Sequence, residues 1–466
     1  MEVSPSFLER AGVCAERLGD ADDLLLISHI DADGLTAAGV ASQALDRAEV
    51  DHDTWFSKQL DTDDLDRIET EGYDTVLFTD FGSGLLDDVV DREFTPVVAD
   101  HHQPRGDCPH HLNPLLFDID GSSELSGAGT AYFLARALGD IAGFEARDLA
   151  ALAVVGAVGD MQDKGGLSGV NRVIVREGVE AGVLEAKQDL MLFGRQTRPL
   201  PKLFMYSTDV RIPGVSNNQG GATELIREAG VALEDDVGGA RRWSDLTEME
   251  KQSVINAAFE RCMSRGVPAD KIDRLVGETY TLLDEEPGTE LRDASEYSTL
   301  LNATARYDRA DVGFGVCKGD RDGLLDEARD LLRTHRRNLR SGVEYVAREG
   351  VVELDNLQYF DAGDEIRDTI VGIIAGMSYN RSAVSRSKPI VAFADSDEDG
   401  EKKVSSRATG RLVGRGLDLA EVMSACSAEV GGDGGGHDIA AGAQIPSDSV
   451  DDFLALADDM VGRQLS

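Results

Sequence analysis

The stretch Thr95-Pro96-Val97-Val98-Ala99-Asp100-His101-His102 joins a short apolar run to one carboxyl group and two imidazoles. Three other apolar runs are followed by groups of the same kind: 24–27 by His29, Asp31 and Asp33, 75–79 by Asp80, and 153–159 by Asp160. In open parallel sheets, ligands bind beyond the carboxyl ends of the strands. We therefore expect these acidic and imidazole side chains to meet at one edge of a sheet.

Strand-like and helical segments alternate through the first 195 residues. Strands are predicted at 23–28, 75–80 and 95–100, and helices are predicted after Gly34, at 129–138 and at 145–161. Such alternation is typical of an α/β domain built on a parallel sheet. All four acidic segments fall inside this predicted domain, residues 1–195.

The remainder of the chain reads as two further domains joined by a basic helix. Residues 196–330 are predicted to form a mixed α/β insertion with a helix at 248–264. A long helix at 324–346 contains the basic linker, residues 331–346. The last domain, residues 347–466, is a smaller α/β unit with predicted strands at 350–354 and 389–394 and predicted helices at 364–377 and 417–430.

The composition is strongly acidic. The formal net charge is −41, from 46 basic and 87 acidic residues, and only ten of the basic residues are lysines. A dense, lysine-poor acidic surface is typical of salt-loving organisms, because molar salt shortens the Debye length to about 3 Å. Such a charge would ordinarily argue against nucleic acid as a partner. If it is an adaptation to solvent, a local basic cluster carries the information about partners.

The sequence predicts neither a membrane span nor a secretion signal. No apolar run approaches the roughly 20 residues of a membrane helix, and the N-terminus lacks a basic segment followed by an apolar one. The five cysteines are scattered without a CxxC pair, which favours reduced thiols over a disulfide framework or a structural zinc site. We expect a cytoplasmic protein.

His29, Asp31 and Asp33 are spaced so that a strand, or the loop just beyond one, presents all three on one side. Imidazole combined with carboxylate suits Mn²⁺, with Mg²⁺ as the alternative. Asp33 precedes Gly34 and could instead serve only as a helix N-cap. A metal site is the better interpretation, because so many buried carboxylates would repel one another without a cation.

Asp80 could bridge two metal ions, with His101 and Asp160 completing the second site. Two ions about 3.5–4 Å apart activate a water and hold a phosphoryl oxygen during displacement. His102 could then contact the phosphate or protonate the leaving oxygen. The alternative is that the histidine pair is a surface or core feature without a ligand.

Candidate phosphate-binding residues occur at three other places. Their backbone N–H groups, hydroxyls or guanidinium groups suit an anion, and they are Gly434, Gly435, Gly436, His437, Arg407, Ser126 and Thr130. The alternatives are a flexible turn for the glycine run, a surface ion pair for Arg407 and a plain helix cap for 126–130. Basic residues of the predicted long helix could track phosphates, namely Arg333, Arg336, Arg337 and Arg340.

Taken together, these residues resemble the motifs of the DHH phosphoesterase superfamily. The matching segments are His29-x-Asp31-x-Asp33-Gly34, Asp80, Asp100-His101-His102 and Gly159-Asp160, in the order of the family's four motifs. The run from Gly434 to His437 resembles the GGGH motif of the associated DHHA1 domain. The resemblance implies a parallel-sheet DHH domain, a smaller DHHA1 domain and an active-site cleft between them.

The resemblance also assigns roles to the residues. One metal would be held by His29, Asp31 and Asp80, and the other by Asp33, Asp80, His101 and Asp160. His102 would face the substrate, while Arg407 and His437 would grip a phosphate of the bound strand.

The full length with its insertion resembles archaeal RecJ-like exonucleases, including the GINS-associated nuclease group. Segments 292–294 and 300–303 resemble a stretch of these proteins. We therefore expect a two-metal exonuclease acting on single-stranded DNA or RNA in replication or repair, with partner proteins bound through 196–330. The alternatives are an oligoribonuclease or cyclic-dinucleotide phosphodiesterase, and a replication scaffold with secondary nuclease activity.

Overall fold

The computed structural model describes residues 3–207, 210–379, 384–396 and 400–466. The chain divides into two compact units, residues 1–329 and 330–466. The predicted boundaries between individual domains, and the predicted cleft, stay predictions. No helix in the described ranges is long and apolar enough to cross a membrane.

The strands of the described residues are, in chain order, β1 Leu24–His29, β2 His52–Ser57, β3 Thr75–Thr79, β4 Thr95–Ala99, β5 His111–Leu112, β6 Leu184–Leu190, β7 Val276–Leu282, β8 Val352–Glu353, β9 Gln358–Asp361, β10 Ile390–Asp395, β11 Glu401–Arg407, β12 Asp433–Gly436 and β13 Ala440–Pro446.

The α-helices are α1 Pro5–Gly19, α2 Ala32–Arg47, α3 Thr62–Glu71, α4 Leu86–Val90, α5 Gly127–Ala142, α6 Ala150–Gly159, α7 Asn171–Ala181, α8 Leu200–Met205, α9 Gln219–Glu228, α10 Glu248–Ser264, α11 Ala269–Ile272, α12 Ala294–Ala305, α13 Ala310–Cys317, α14 Gly323–Glu349, α15 Asp368–Ser378, α16 Gly410–Val413, α17 Leu419–Glu429 and α18 Val450–Leu465.

The first unit is built on a parallel sheet, as predicted. Its strand order is β2-β1-β3-β4-β5, and every neighbouring pair is parallel. In register, Ser28 lies beside Thr79, and Thr79 lies beside Ala99. The residues that follow β1, β3 and β4 therefore emerge at one edge of the sheet, where the acidic groups were expected from the sequence.

Apolar side chains on both faces explain why the central strands form. β3 is buried along its whole length, and the last three residues of β4 are buried. Leu25, Ile27 and Phe78 pack into one core cluster with Leu65 and Ile68 of α3. Helices α2, α5 and α6 pack against one another. The sheet is thus covered by helices, as parallel sheets require.

Two elements of this unit differ from the predictions. The edge strand β2 lacks a continuous apolar run, since its residues are mostly half-buried, and it was not predicted. The helix predicted at 145–161 is shorter, because residues 147–149 form a 3₁₀ turn before α6. The carbonyl oxygen of Glu145 accepts a hydrogen bond from the Arg47 side chain at 2.9 Å instead of from a helical N–H group.

The insertion leaves and rejoins the first unit through the antiparallel pair β6 and β7. Between these strands the described residues are largely helical, and they surround a core of their own that includes Phe204, Trp243 and Val254. The indole of Trp243 donates a hydrogen bond to Asp189 at 2.8 Å, which ties this core to β6. The helix predicted at 248–264 is α10.

The second unit contains a mixed sheet of order β12-β13-β11-β10-β9-β8. Only β9 and β10 pair in parallel within it; the other described pairs are antiparallel. Helix α15 packs on β10 and β11, and α17 packs on β12 and β13. The predicted strand at 389–394 is β10, whereas the strand predicted at 350–354 is reduced to the two residues of β8.

Candidate metal and phosphate site

The turn between β1 and α2 places the first three candidate ligands. His29 ends β1, Asp31 is the N-cap of α2 and Asp33 lies in its first turn. The carboxylate of Asp31 accepts a hydrogen bond from Gly34 N at 3.0 Å. A Cβ at Gly34 would lie 2.2 Å from the carbonyl oxygen of His29, so only glycine fits this turn. The capping role considered for Asp33 belongs to Asp31, and Asp33 points into the protein interior.

Asp33 is held by the N-terminus of α5. Its two carboxylate oxygens accept hydrogen bonds from Gly127 N at 2.7 Å and Ala128 N at 3.0 Å. It is 2% exposed, and burial together with the charge of Asp80 raises the pKa of Asp33. A buried carboxylate with this environment is suited to a cation, which would offset both effects.

Asp80 occupies the centre of the cluster. Its backbone is left-handed, with φ of 61°, a conformation that few residues other than glycine adopt. Asp80 Oδ2 lies 3.6 Å from His29 Nδ1, and Asp80 Oδ1 lies 3.2 Å from His101 Nε2. Among the described residues, no donor hydrogen-bonds to Oδ1, although this oxygen is buried. Buried carboxylate oxygens without partners are rare, so Oδ1 is suited to bind a cation.

The imidazole of His101 is oriented by a backbone carbonyl. His101 Nδ1 lies 2.6 Å from Gly121 O, which can only accept, so Nδ1 carries the hydrogen and Nε2 is the candidate ligand atom. Burial alone lowers the pKa of His101, but the nearby carboxylates of Asp80 and Asp33 outweigh it and raise the pKa. The field that favours a proton on this ring would also attract a cation.

Two amides that were not singled out in the sequence support Asp160. Gln162 Nε2 donates to Asp160 Oδ2 at 2.8 Å and to Gly121 O at 2.9 Å. Asn171 Nδ2 donates to Gln162 Oε1 at 2.6 Å. Asp160 is the C-cap of α6, and burial raises its pKa. This network links Asp160 and His101 through the one carbonyl of Gly121.

Three groups of side chains bring their ligand atoms close enough to hold a metal ion. One group combines Asp80, Asp100, His101 and His102, and the other two, the ligand sets, contain only residues predicted to bind metal. Within each set all atoms lie within 4.8 Å of one another: His29, Asp31 and Asp80 form one set, and Asp33, His101 and Asp160 form the other. Asp80 contacts both sets, through His29 on one side and His101 on the other. Oxygen and imidazole nitrogen donors in this arrangement fit divalent cations such as Mn²⁺ or Mg²⁺.

Asp100 supports His102 and is itself saturated with hydrogen bonds. It is fully buried. Its Oδ1 accepts from His101 N at 2.7 Å and from His102 Nδ1 at 2.8 Å, and its Oδ2 accepts from Ser83 N at 3.0 Å. His102 is 57% exposed at its side chain, and the hydrogen bond to Asp100 raises the pKa of His102. With Nδ1 occupied, Nε2 is the nitrogen that remains for a substrate.

Ser126 and Thr130 do not form a phosphate loop, and this prediction needs correction. Both are fully buried. Ser126 caps α5 by accepting from Gly129 N at 3.1 Å, and the Thr130 hydroxyl donates to Ser126 O at 2.9 Å. A Cβ at Gly127 would lie 2.3 Å from Asp80 Oδ1. The helix N-terminus therefore binds Asp33 and closely approaches Asp80, and the alternative of a plain helix cap describes the two hydroxyls.

The glycine run in the second unit is an edge strand, which corrects the predicted loop. Gly434, Gly435 and Gly436 pair with β13, so their N–H groups do not converge on one point as in a phosphate nest. His437 is exposed in the hairpin turn that follows, where it exchanges backbone hydrogen bonds with Ala440 at 2.9 and 3.2 Å.

Arg407 lies at the same end of this sheet as His437. Its register partner on β13 is Ala440, the residue that faces His437 across the hairpin. The Arg407 side chain lies along α15, where a Cβ at Gly372 would come within 2.7 Å of Nη2 and one at Gly376 within 3.8 Å of Cγ. Two glycines on one helix face thus make room for this guanidinium.

The predicted basic residues lie on α14, on its part within the second unit. Arg333, Arg336, Arg337 and Arg340 lie along it, and Arg333 and Arg340 are largely exposed at their side chains. Arg333 pairs with Asp330, and Arg340 Nε lies 3.9 Å from Glu344. Residues 331–343 contain no acidic side chain, so this stretch of helix is an unusually basic surface for so acidic a chain.

Two further residues of the first unit were not predicted as part of the site. Asn302 of α12 accepts a hydrogen bond from Ala32 N at 3.1 Å and so supports the first turn of α2. It lies in segment 300–303, whose resemblance to archaeal proteins was the available signal. Lys58 follows β2 and lines a cavity of about 260 Å³ together with His29, Leu60, Asp80, Phe81 and His102.

Comparison with known proteins agrees with the motifs. A family model described as the DHH-CID domain matches residues 192–276, and one described as the DHHA1 domain matches residues 354–463. An uncharacterized protein of Methanocaldococcus jannaschii is 28% identical over 449 residues, which cover 94% of this chain and 93% of the relative.

Solved structures share the fold at low sequence identity. The exonuclease RecJ bound to manganese has a TM-score of 0.60 at 18% identity, covering 99% of this chain and 96% of that one. CDC45 from Entamoeba histolytica has a TM-score of 0.63 at 11% identity, covering 98% and 99%. RecJ with Mn²⁺ from Thermus thermophilus has a TM-score of 0.59 at 18% identity.

The match covers 98% of this chain and 55% of the Thermus chain, so the present chain spans about half the length of that relative. Together, the comparisons identify a DHH-CID domain and a DHHA1 domain in this chain and show that the chain has a RecJ-like fold.

Proposed function

We propose that the chain is a metal-dependent phosphodiesterase that removes nucleotides from one end of single-stranded nucleic acid. The observation that carries this proposal is Asp80, buried between two sets of ligand atoms with Oδ1 lacking a hydrogen bond among the residues described. An exposed imidazole, His102, stands beside the cluster with its ring fixed by Asp100.

The ligand sets suit two divalent cations, with Mn²⁺ preferred because imidazole nitrogens lie among the carboxylates. His29, Asp31 and Asp80 would hold one ion, and Asp33, Asp80, His101 and Asp160 the other. When bound, such a pair polarises a phosphoryl group and activates water for in-line attack. RecJ structures that share the fold contain manganese or magnesium.

His102 would act on the substrate directly. Its Nδ1 donates to the buried Asp100, so its Nε2 is available to a phosphate oxygen or to the leaving oxygen. A positioned imidazole of this kind typically contributes about 10²- to 10⁴-fold as a general acid or base. Asp100 keeps this ring in one orientation and holds its charge.

A nucleic acid chain is favoured over a small phosphate ester by the basic residues of the second unit. Arg407 and His437 lie at one end of the mixed sheet, and α14 carries Arg333, Arg336 and Arg337. Guanidinium groups bind phosphates well, and a row of them suits a polyanion. The DHHA1 domain would thus bind the strand while the first unit cleaves it.

The test is hydrolysis of end-labelled single-stranded DNA and RNA of several lengths, with Mn²⁺ or Mg²⁺, at low and at molar salt. We expect product ladders that shorten from one end, with activity that survives molar salt. Activity confined to substrates of a few nucleotides, or to cyclic dinucleotides, would favour the oligoribonuclease or cyclic-dinucleotide alternative.

A second function, as a component of a replication complex, is favoured by the likeness to CDC45 over nearly the whole of both chains. The insertion, with its own core and exposed Val237, Met249 and Met263, is the proposed partner-binding segment. The test compares replication proteins recovered with the full chain and with Met249→Glu. Equal recovery of the same proteins by both would argue against this surface.

A further inference from the structure

We propose that Ser83, His111 and Asn113 form a buried network that sets the orientation of His102, and that they are positioning residues for the reaction. The inference rests on the proposed function, in which His102 acts on the substrate. None of the three was singled out in the sequence. They lie behind the Asp100–His102 pair and outside both sets of candidate metal ligands.

Ser83 connects the network to Asp100. It is fully buried in the short turn that follows β3. Its backbone N–H donates to Asp100 Oδ2 at 3.0 Å, while its hydroxyl lies 2.8 Å from His111 Nε2. The Ser83 backbone therefore supports Asp100, whereas the Ser83 hydroxyl reaches His102 through Asn113.

Asn113 connects the network to the backbone of His102. Its Nδ2 donates to Ser83 Oγ at 2.9 Å and to His102 O at 2.8 Å, and its Oδ1 accepts from Leu115 N at 2.9 Å. Asn113 is fully buried. The ring of His102 is thus fixed through Asp100, and its main chain is fixed through Asn113.

His111 completes the hydrogen bonds of the Ser83 hydroxyl. Among the described residues, His111 Nε2 is the one acceptor within reach of this hydroxyl, so the hydroxyl donates to it and the imidazole hydrogen lies on Nδ1. Nδ1 lies 3.8 Å from Asp107 Oδ1, which favours a hydrogen at that position. Burial lowers the pKa of His111, so the ring stays neutral. Arg10 anchors this residue by donating to its carbonyl at 2.8 Å.

A positioning role differs from a merely structural one in its dependence on His102. If Ser83 acts through His102, removing the Ser83 hydroxyl has no effect on turnover once the His102 ring is gone. If Ser83 only stabilises the fold, it lowers turnover by the same factor in both backgrounds. A double-mutant cycle separates these cases.

The experiment measures kcat on a single-stranded DNA with Mn²⁺ for the wild type, Ser83→Ala, His102→Ala and the double variant. We expect Ser83→Ala to lower kcat about tenfold, as loss of a supporting hydrogen bond commonly does. In the His102→Ala background we expect no further loss. An equal loss in both backgrounds would overturn the proposal, as would a matching loss of Mn²⁺ affinity in Ser83→Ala.

Three further variants guard against loss of folding. Ser42→Ala removes another buried serine–histidine pair, Ser42 Oγ to His52 Nε2 at 2.7 Å, far from the site, and should leave kcat unchanged. His111→Gln keeps a polar group near the position of Nε2, whereas His111→Leu removes it. We expect His111→Gln to retain most of the activity that His111→Leu loses; equal activities would count against the network.

A readout without catalysis separates this proposal from the proposed function. The chain has eight histidines, so ¹⁵N-histidine labelling of the metal-free full-length protein gives few ring signals, which single His→Asn variants assign. Ser83→Ala should shift the ring nitrogens of His102 and leave those of His52 in place. An unchanged His102 signal refutes the positioning network, whereas a wild type inactive on every phosphodiester refutes only the proposed function.

Discussion

The two larger sheets of the described residues end in contrasting ways. At the carboxyl ends of β1, β3 and β4, the candidate ligands Asp33, Asp80 and His101 are buried, and backbone groups hold Asp33 and His101 in place. At the end of β11 and β12, Arg407 is half-buried and His437 is exposed in a hairpin turn. The first region has its geometry built in by folding, whereas the second relies on flexible cationic side chains.

The contrast predicts different kinetic consequences. Substitutions in the buried region should affect turnover and metal binding, because packing leaves the ligand side chains little freedom to move. Substitutions in the exposed region should affect mainly the affinity for the strand, because long side chains adapt to the substrate. The predictions below test this division, from the largest expected effect to the smallest.

The largest effect is expected for Asp80→Asn. The variant keeps the size of the side chain but removes the charge shared by both ligand sets, so hydrolysis should fall to background with either metal. Without metal, the variant should melt at a higher temperature than the wild type, because the repulsion between the buried carboxylates of Asp80 and Asp33 is gone. Turnover and thermal melting with and without Mn²⁺ measure both effects. The matched control is Asp118→Asn, at another left-handed but exposed aspartate.

His102→Ala should lower kcat about 10²- to 10⁴-fold and leave Mn²⁺ affinity unchanged. The same variant on a p-nitrophenyl nucleotide ester, whose leaving group needs no proton, separates two roles. A much smaller loss on that ester indicates protonation of the leaving oxygen, and an equal loss indicates contact with the phosphate. His110→Ala serves as the control. Near-normal turnover of His102→Ala on DNA would place the exposed imidazole outside the reaction.

Arg407→Ala should lower kcat/KM about 10- to 100-fold, mostly through KM, because a charge-assisted bond to phosphate is lost. Gly372→Ala should give a smaller rise in KM, since a methyl group there displaces the guanidinium from α15. Gly376→Ala is the control, with only ordinary contact to Arg407. As an alanine in a helix interior, it should raise stability by up to about 1 kcal/mol. A fall in kcat with unchanged KM would break the proposed division.

The double variant Arg336→Gln, Arg337→Gln should weaken binding of strands longer than about ten nucleotides by severalfold, and binding of dinucleotides hardly at all. The slope of log K against log salt should become shallower by about 0.7 for each phosphate that the helix no longer binds. Fluorescence anisotropy with catalytically inactive protein measures both quantities. The control is Arg463→Gln, an exposed arginine on α18. Equal weakening at every length would mean that α14 does not follow the strand.

Glu296 is a buried carboxylate outside the candidate ligand sets, and it should make the stability of the protein depend on pH. It accepts hydrogen bonds from Gln196 N at 2.8 Å and from the Thr197 hydroxyl, and burial, with the charge of Asp293, raises its pKa to about 7. The folded protein therefore holds this proton at a higher pH than the unfolded chain, so stability falls as pH rises from about 4.5 to 7.

Glu296→Gln should flatten that decline, by about 3 kcal/mol at most. Denaturant titrations at about pH 5 and pH 7.5 compare the variant with the wild type. An unchanged pH dependence would show that Glu296 is ionised throughout this range in the folded protein.

The parts of the site that follow apolar runs directly could be predicted from the sequence. His29, Asp31, Asp80 and Asp100 come within a few residues of strands whose burial is visible as hydrophobic runs, and the parallel order brings those strand ends together. The parallel sheet itself was confirmed. The edge strand β2 was missed because its residues are mixed in polarity.

The supporting residues could not be predicted, because their roles depend on contacts between distant parts of the chain. Asn302 contacts Ala32, which lies 270 residues earlier in the chain. His111 lies on β5 and contacts Ser83, which follows β3, so β4 separates the two strands. Local composition misled in two cases. The glycine run favours a loop by itself, but pairing with β13 makes it a strand, and the hydroxyls at 126–130 serve a helix N-terminus rather than a phosphate.

Three glycines touch the candidate ligands and leave no room for a larger side chain. At Gly34, Gly121 and Gly127, an added Cβ would lie 2.2 to 2.3 Å from a backbone or carboxylate oxygen of the cluster. The spacing of the ligands is consequently set by main-chain packing, which surface substitutions scarcely reach. Substitutions that change the outer charge of the chain can therefore leave the distances between the candidate ligand atoms unchanged.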